Sequence, residues 1–271
     1  AAGRQLAYHN QVPLKLDISE FQKYQLHAYS LEHFKINDAI ANAEEINSLK
    51  NRNKIPLPYR LKKIFPQLNP TYYQERHFHF DPYVLKIQSP CYLEGYFQSQ
   101  KYFQSIRPQL LDSIQPKQAL TAESQTVLHQ IKQQPSVCLH VRRGDYVNNP
   151  DTQKVHGVCS LDYYQLSIQQ LKQKLEHFRI FVFSDDPTWV KNNLKTELPV
   201  TYVSHNDAGR NYEDLMLMTA CQHFIIANSS FSWWAAWLSQ NDKKIVIAPQ
   251  KWFNQSKRRD KDLIPKEWIR I

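Results

Sequence analysis

A chain of 271 residues, 42% apolar and 22% charged, suits one large domain or two small ones and is too apolar to be disordered. Its net charge of +9 favours anionic partners: a nucleotide, a phospholipid surface or a nucleic acid. It holds no apolar run of the ~18 residues that a membrane-crossing helix needs, and its start lacks the apolar core of a signal peptide.

In chain order, Pro13–Asp17 predicts a short strand and Ile36–Leu49 a helix. Lys50–Tyr83 holds five prolines among basic and aromatic residues. It reads as a long ordered loop or small insert, a common place for substrate contacts. Cys91–Phe97 predicts a strand, and Gln98–Ile114 a helix with Pro108 as its kink. Gln115–Gln134 is polar, includes a helix and leads into the second half, so the expected domains are 1–134 and 135–271.

From there strands and helices alternate. Strands are expected at Ser136–Val141, Arg179–Phe183, Val200–Val203, Phe224–Ala227 and Lys244–Ala248. Helices are expected at Leu161–Phe178, Pro187–Leu194, Asn211–Gln222 and Phe231–Ser239. Strict alternation implies an α/β fold with a parallel sheet covered on both sides.

The segment Val137–Tyr146 (V-C-L-H-V-R-R-G-D-Y) passes from a buried strand into charge where the strand stops. In an open α/β sheet, ligands bind at the carboxyl ends of the strands. His140 and Arg142 lie two residues apart, so they share one face. A base and a fixed cation therefore project together, and arginine can fork onto phosphate oxygens.

Two other segments fall at strand ends of the same sheet: Ser184, Asp185 and Asp186, and then Asn228, Ser229, Ser230 and Phe231. Ser and Asn are good N-caps, and the first-turn amides of a helix bind anions. Either role fits Asn228–Ser230 alone; beside His140 and Arg142, binding of a diphosphate is the better reading. Asp185 and Asp186 suit either a cap for the helix at Pro187 or contacts to ribose hydroxyls. Glu213 and Asp214 open a helix, where acids suit its dipole. A carboxylate there could also accept two N–H bonds from the edge of guanine.

Other features are weaker. With five glycines, the chain has neither a G-x-G-x-x-G turn nor a P-loop, so side chains and helix termini must hold any nucleotide. The cysteines (Cys91, Cys138, Cys159, Cys221) lie far apart and read as free thiols of a reducing compartment. His77 and His79 could reach a metal, but no third ligand is in view, so packing or surface roles are favoured. Trp233, Trp234 and Trp237 read as core, with Trp233 the one candidate for lining a sugar pocket. The run Lys257–Asp262 reads as a solvated loop, and its Asp260-x-Asp262 pair lacks the apolar strand that a metal-binding D-x-D follows.

These residues resemble the α-1,2-fucosyltransferase family, which carries H-x-R-R-G-D-Y (here His140–Tyr146) and F-S-D-D (Phe183–Asp186). It also carries E-D-L-x-L-M (Glu213–Met218) and N-S-S/T-F-S-W-W-x-A-x-L (Asn228–Leu238). Ala2–Arg4 and Val12–Asp17 also look like the family. The resemblance implies two facing Rossmann-like domains, the GT-B architecture, with GDP-fucose held by the C-terminal one. It implies transfer with inversion, with neither metal nor cofactor, to the 2-hydroxyl of a galactose-terminated oligosaccharide. It puts Arg142 on the β-phosphate, His140 near the nucleotide, Ser229 and Ser230 on the diphosphate and Asp214 on guanine. Members usually open on a strand and a G-G-L-G-N-Q-x-F-Q-Y-A loop, whereas this sequence starts within the helix expected to follow.

The chemistry so implied has negative charge growing on the β-phosphate as the bond to fucose breaks, opposite a prepositioned Arg142. Arg143 joins it on the nucleotide side. Asp145 is the nearest candidate base for the acceptor hydroxyl, or else a brace for Arg142 or Arg143. A cytoplasmic place is expected, with peripheral contact at the inner membrane face. The competing readings are a basic nucleic-acid-binding module, for which the chain shows no recognised pattern, and a GDP-sugar transferase of another linkage.

Overall fold

The computed structural model describes residues 1–22, 29–51, 71–254 and 260–271. Most of the Lys50–Tyr83 segment and the basic half of the Lys257–Asp262 run fall outside the described residues. The chain divides into two compact units, Ala1–Lys117 with Arg259–Pro265, and Gln118–Arg258 with Lys266–Ile271.

The first unit begins with helix α1 (Ala2–Asn10). Strand β1 (Lys15–Leu16) pairs in parallel with β2 (Ala39–Ile40), and helix α2 (Ala43–Asn51) follows. The helix expected from Ile36 starts late because the chain is first drawn into that pairing. Its start is then set by a reciprocal capping box: Glu45 N donates to Asn42 Oδ1 at 2.9 Å, and Asn42 N donates to Glu45 Oε2 at 3.1 Å. Strands β3 (Tyr72–Gln74) and β4 (Tyr92–Glu94) form a second parallel pair. Gln98–Ile114 is two short 3-10 turns followed by helix α3 (Arg107–Ser113). Pro108 is not a kink: it sits in the first turn of α3, where its missing N–H has no partner to lose. Asp262 belongs to this unit, accepting from Phe80 N at 3.2 Å and pairing with Lys101.

The second unit holds a six-stranded sheet in which every pairing is parallel. Its strands are β5 (Ser136–Val141), β6 (Arg179–Ser184), β7 (Val200–Val203), β8 (His223–Ile225), β9 (Val246–Ala248) and β10 (Ile269–Arg270). The spatial order is β10-β9-β8-β5-β6-β7. Counted from β5 as the first strand, this is the Rossmann order 3-2-1-4-5-6. Strand β10 was not expected, since two ordinary residues at a chain end carry no period to read.

The helices are α4 (Ala122–Gln133), α5 (Gly144–Asn148), α6 (Pro150–His156), α7 (Leu161–Lys172), α8 (Pro187–Asn193), α9 (Asn211–Ala220) and α10 (Ser230–Leu238). Neither α5 nor α6 was expected; each is too short to show a helical period. Helix α7 ends earlier than its apolar spacing predicted. The chain turns after Lys172 yet keeps Leu175 and Phe178 against the same core.

All six residues of β5 are buried, as expected for a strand covered on both faces. Val137, Leu139 and Val141 pack under Tyr163, Tyr164, Ile168 and Leu171 of α7. The Tyr163 hydroxyl shares its proton between Ile226 O at 2.6 Å and Ile247 O at 3.1 Å, tying together the chain at the ends of β8 and β9.

The division between units falls before α4, not after it. The reason lies at Thr121, the N-cap of α4. Its N–H and hydroxyl both donate to the buried carboxylate of Glu213 on α9, at 3.1 and 2.8 Å. Burial pushes the Glu213 carboxyl up, but hydrogen bonds from Ser124, Thr121 and Tyr212 outweigh it and hold the group below its ordinary range. A buried carboxylate with this many donors binds α4 to the second unit.

Candidate functional site

The strand order reverses at β5, whose two neighbours are β6 and β8. Crossovers leave the carboxyl edge in opposite directions there, which opens a crevice. Val141 pairs with Ser184 of β6, and Leu139 with Ile225 of β8, so the three strands end together. His140, Arg142 and Arg143, then Ser184–Asp186, then Asn228–Phe231 all lie at or just beyond these ends.

Alternation along β5 puts His140 and Arg142 on the face opposite α7. The His140 ring lies 6.0 Å from that of Phe231 in the first turn of α10. Burial, aided by the Arg142 charge, depresses the His140 pKa to about 3, so the imidazole is neutral near pH 7. Its buried Nδ1 has no hydrogen-bond partner among the described residues.

Arg142 is held by two carboxylates. Its Nη2 donates to Asp145 Oδ1 at 2.6 Å, and its Nη1 lies 3.2 Å from Asp185 Oδ2. Its guanidinium also sits 5.4 Å from the centre of the Tyr146 ring. Tyr146 in turn donates to Asn228 O at 3.3 Å and stacks on His156. One side chain therefore links the arginine to the β8–α10 corner. Asp145 is thus placed in an ion pair with Arg142.

Arg143 is aimed differently. Its N–H donates to Asp185 Oδ1 at 2.8 Å, its Nε to Asp186 Oδ2 at 3.2 Å, and its guanidinium lies 3.7 Å over the Trp189 ring. Asp186 also caps α8 by accepting from Trp189 N at 3.1 Å, and its own N–H donates to Ser184 Oγ at 3.0 Å. The aspartates thus orient the arginines and cap a helix. Gly144 makes this possible: a Cβ there would stand 2.6 Å from Asp185 Oδ2.

At the other corner the Asn228 amide is turned inward. Its Nδ2 approaches His156 O at 2.9 Å, Trp252 O at 3.2 Å and Gly157 O at 3.3 Å, while Cys159 Sγ donates to its Oδ1 at 3.6 Å. It fixes the turn before α10. Ser229 is the N-cap residue of α10 but makes no side-chain cap hydrogen bond. The first-turn N–H groups of α10 are therefore left without the serine or asparagine cap that the sequence also permitted. Ser230 is exposed and opens the helix.

Asp214 lies beyond the end of β7, in the first turn of α9. It accepts from Asn206 Nδ2 at 2.7 Å, and Asn206 also reaches Ser124 Oγ, which is 2.9 Å from His205 Nε2. Burial pushes the Asp214 carboxyl up to about 6, against the pull of the Asn206 hydrogen bond. Glu213 next to it is bound to Thr121 and faces elsewhere.

Tyr146, Trp189 and Asn206 were not singled out from the sequence. Tyr146 lies one helical turn from Arg142, which is a usable signal; Trp189 and Asn206 gave none. His77 and His79 stack on each other with ring centres 3.3 Å apart, and His77 Nδ1 lies 3.0 Å from His79 O. No group of His, Cys, Asp and Glu that could hold a metal ion occurs among the described residues. Trp233 and Trp237 are buried and stacked at 10°, as core residues. All four cysteines are free. No helix among the described residues is long and apolar enough to cross a membrane.

The sequence profile of glycosyl transferase family 11 matches residues 21–271. The chain belongs to that family. Similar proteins include the alpha-1,2-colitosyltransferase of Escherichia coli, 32% identical over 95% of this chain and 88% of that protein. The O-antigen biosynthesis glycosyltransferase WbnK of Escherichia coli is 30% identical over 92% of this chain and 84% of that protein. Galactoside alpha-(1,2)-fucosyltransferase 1 of Homo sapiens is 29% identical over 60% of this chain and 45% of that protein. This chain is thus a glycosyltransferase of family 11, with an α/β fold and its candidate site at the reversal point of the parallel sheet.

Proposed function

We propose that this family 11 chain moves fucose from GDP-fucose to the 2-hydroxyl of a terminal galactose on a glycan, with inversion and without a metal. One observation carries the reading. A neutral imidazole, a doubly braced guanidinium and a helix N-terminus without a side-chain cap meet where the sheet reverses. All three are donors to an anion, and the +9 charge of the chain draws such ligands in.

As the bond between fucose C1 and the β-phosphate oxygen breaks, negative charge grows on the diphosphate. Arg142 meets that charge with a guanidinium already fixed by Asp145 and Asp185, so little reorganisation is needed. His140, being neutral, offers an N–H and no second cation. The first-turn amides of α10 at Ser230 and Phe231 add partial charge. Arg143, Asp185 and Asp186 set the position of Arg142. Asn228 and Ser229 shape the turn that presents the amides. Asp214 is the group for the base, because an ionised carboxylate accepts the paired N–H donors of guanine and finds no such pair on adenine. As a base toward the acceptor hydroxyl, Asp145 would have to leave its ion pair, so the brace is the role assigned to it.

Calorimetry with GDP, ADP and GDP-fucose, with and without a chelator, tests this. GDP and GDP-fucose should bind alike, ADP much more weakly, and chelator should change nothing. Equal affinity for ADP removes the base assignment, and no binding of any nucleotide removes the function. The colitosyltransferase relative favours one second reading, a donor carrying colitose, which is fucose without its 3-hydroxyl. Turnover with each GDP-sugar in turn separates the two.

A further inference from the structure

Residues His205, Asn206 and Asp207 leave the carboxyl end of β7 and are pinned within the second unit. Asp207 Oδ1 accepts from Gly209 N at 3.0 Å and Arg210 N at 3.1 Å, and Arg210 Nη2 donates to His205 O at 3.3 Å. His205 Nε2 lies 2.9 Å from Oγ of Ser124, a buried residue in the first turn of α4. Ser124 has one hydroxyl proton, and it goes to the Glu213 carboxylate. Its oxygen is therefore left as an acceptor for His205 and for Asn206 Nδ2, the latter at 3.4 Å.

The Asn206 amide group has two N–H bonds. One is directed at Ser124 Oγ and the other at Asp214 Oδ1, at 2.7 Å. Its buried Oδ1 finds no hydrogen-bond partner among the described residues. Native chains seldom leave a buried acceptor so, and an orphan of this kind calls for a reason. The reason lies at the other end of the amide. Turned round, it would set its oxygen against the carboxylate and against the Ser124 oxygen, so the N–H end is committed to Asp214.

Burial pushes the Asp214 carboxyl up, and the Asn206 hydrogen bond is the largest influence that opposes burial. The His205 charge also favours the ionised form, while the Glu213 charge disfavours it. From β5, the Cys138 thiol faces the same carboxylate, but its own burial holds it uncharged near neutral pH. Without Asn206, the His205 charge is what remains of these to keep the proton off.

The protonation state decides which base fits. An ionised carboxylate accepts two N–H bonds, the pattern that the edge of guanine offers. A protonated carboxyl donates one bond and accepts one, which matches N1 and the amino group of adenine. We infer that Asn206 is a positioning residue that sets base specificity, keeping Asp214 a double acceptor at neutral pH. The inference deepens the transferase reading and rests on it.

The test is calorimetry of the full chain and of Asn206→Leu with GDP and with ADP, from pH 5 to 8.5. The ratio of the two affinities is the readout, because both ligands carry the same titrating terminal phosphate and its effect cancels. In the parent the preference for GDP should collapse as pH falls through about 6. In Asn206→Leu the collapse should come about one unit or more higher, since a hydrogen bond to the charged form is lost. A one-unit shift makes the ratio about fivefold smaller at pH 6 and leaves it within about twofold of the parent at pH 8.5. Asn206→Asp keeps the shape of the side chain and presents no N–H to Asp214, so it should shift the profile in the same direction. Whichever variant keeps the thermal transition of the parent decides the matter. If the parent prefers GDP and the variant's profile does not move, Asn206 has no such role and the transferase reading stands. A ratio lowered by the same factor at every pH would make Asn206 a structural support and overturn the proposal. Should the parent bind neither nucleotide, the transferase reading falls and takes the role of Asn206 with it.

Discussion

Gly144→Ala tests whether Asp185 positions Arg142. The new Cβ would stand 2.6 Å from Asp185 Oδ2, so that oxygen must retreat by about 0.8 Å to reach the 3.4 Å of ordinary contact. The same oxygen pairs with Arg142 Nη1 at 3.2 Å, and its twin accepts from Arg143 N at 2.8 Å. Hydrogen bonds to charged groups contribute about 1.5–3 kcal/mol, and partial exposure of this carboxylate lowers that to about 1–2 kcal/mol. If the loss appears as misplacement of Arg142, GDP affinity falls about 5- to 30-fold. Stability should change far less, because alanine gains up to about 1 kcal/mol over glycine in helix α5. The assay is GDP titration of the parent, Gly144→Ala and a control, Gly209→Ala, whose Cβ would meet Asp207 Oδ1 at an ordinary 3.4 Å. Undiminished GDP affinity in Gly144→Ala would refute the positioning argument.

Arg142→Lys keeps the charge but not the fork, so kcat should fall about 10²–10³-fold, and turnover near that of the parent would remove Arg142 from the mechanism. Asp214 takes up its proton near pH 6 in the folded chain and at an ordinary 3.8 when unfolded. Between those values the folded state binds more protons, so this group's contribution to stability, up to about 3 kcal/mol, is present below pH 3.8 and is lost as pH rises through 6. Urea midpoints measured across that window should lose the corresponding slope in Asp214→Asn. Because guanine needs the ionised carboxylate, GDP affinity should rise as pH climbs through about 6. A pH-independent affinity, or one unchanged in Asp214→Asn, would detach Asp214 from the base.

Several elements were legible from local chemistry alone. The continuous apolar runs at β5 and β6, each closed by charge, announce strands buried on both faces. Their alternation with helices announces a parallel sheet, and that in turn puts His140, Ser184 and Asn228 at one edge. Strand identity, face and edge all follow from a period of two and from where the apolar run stops, so no distant contact is needed to read them.

Direction and partnership were not legible. Nothing near Asn228 in the sequence says that its amide faces His156, Gly157 and Trp252, or that Asp185 pairs with Arg142. Those contacts join residues far apart along the chain, and only folding sets which of several competing hydrogen bonds each side chain makes. The strand β10, the late start of α2 and the placing of α4 with the second unit have the same origin: pairing with remote backbone or a buried carboxylate outweighed local preference. The sequence by itself determined which chemical groups arrive at the edge of the sheet, and the tertiary structure decided which of them stay available to a ligand.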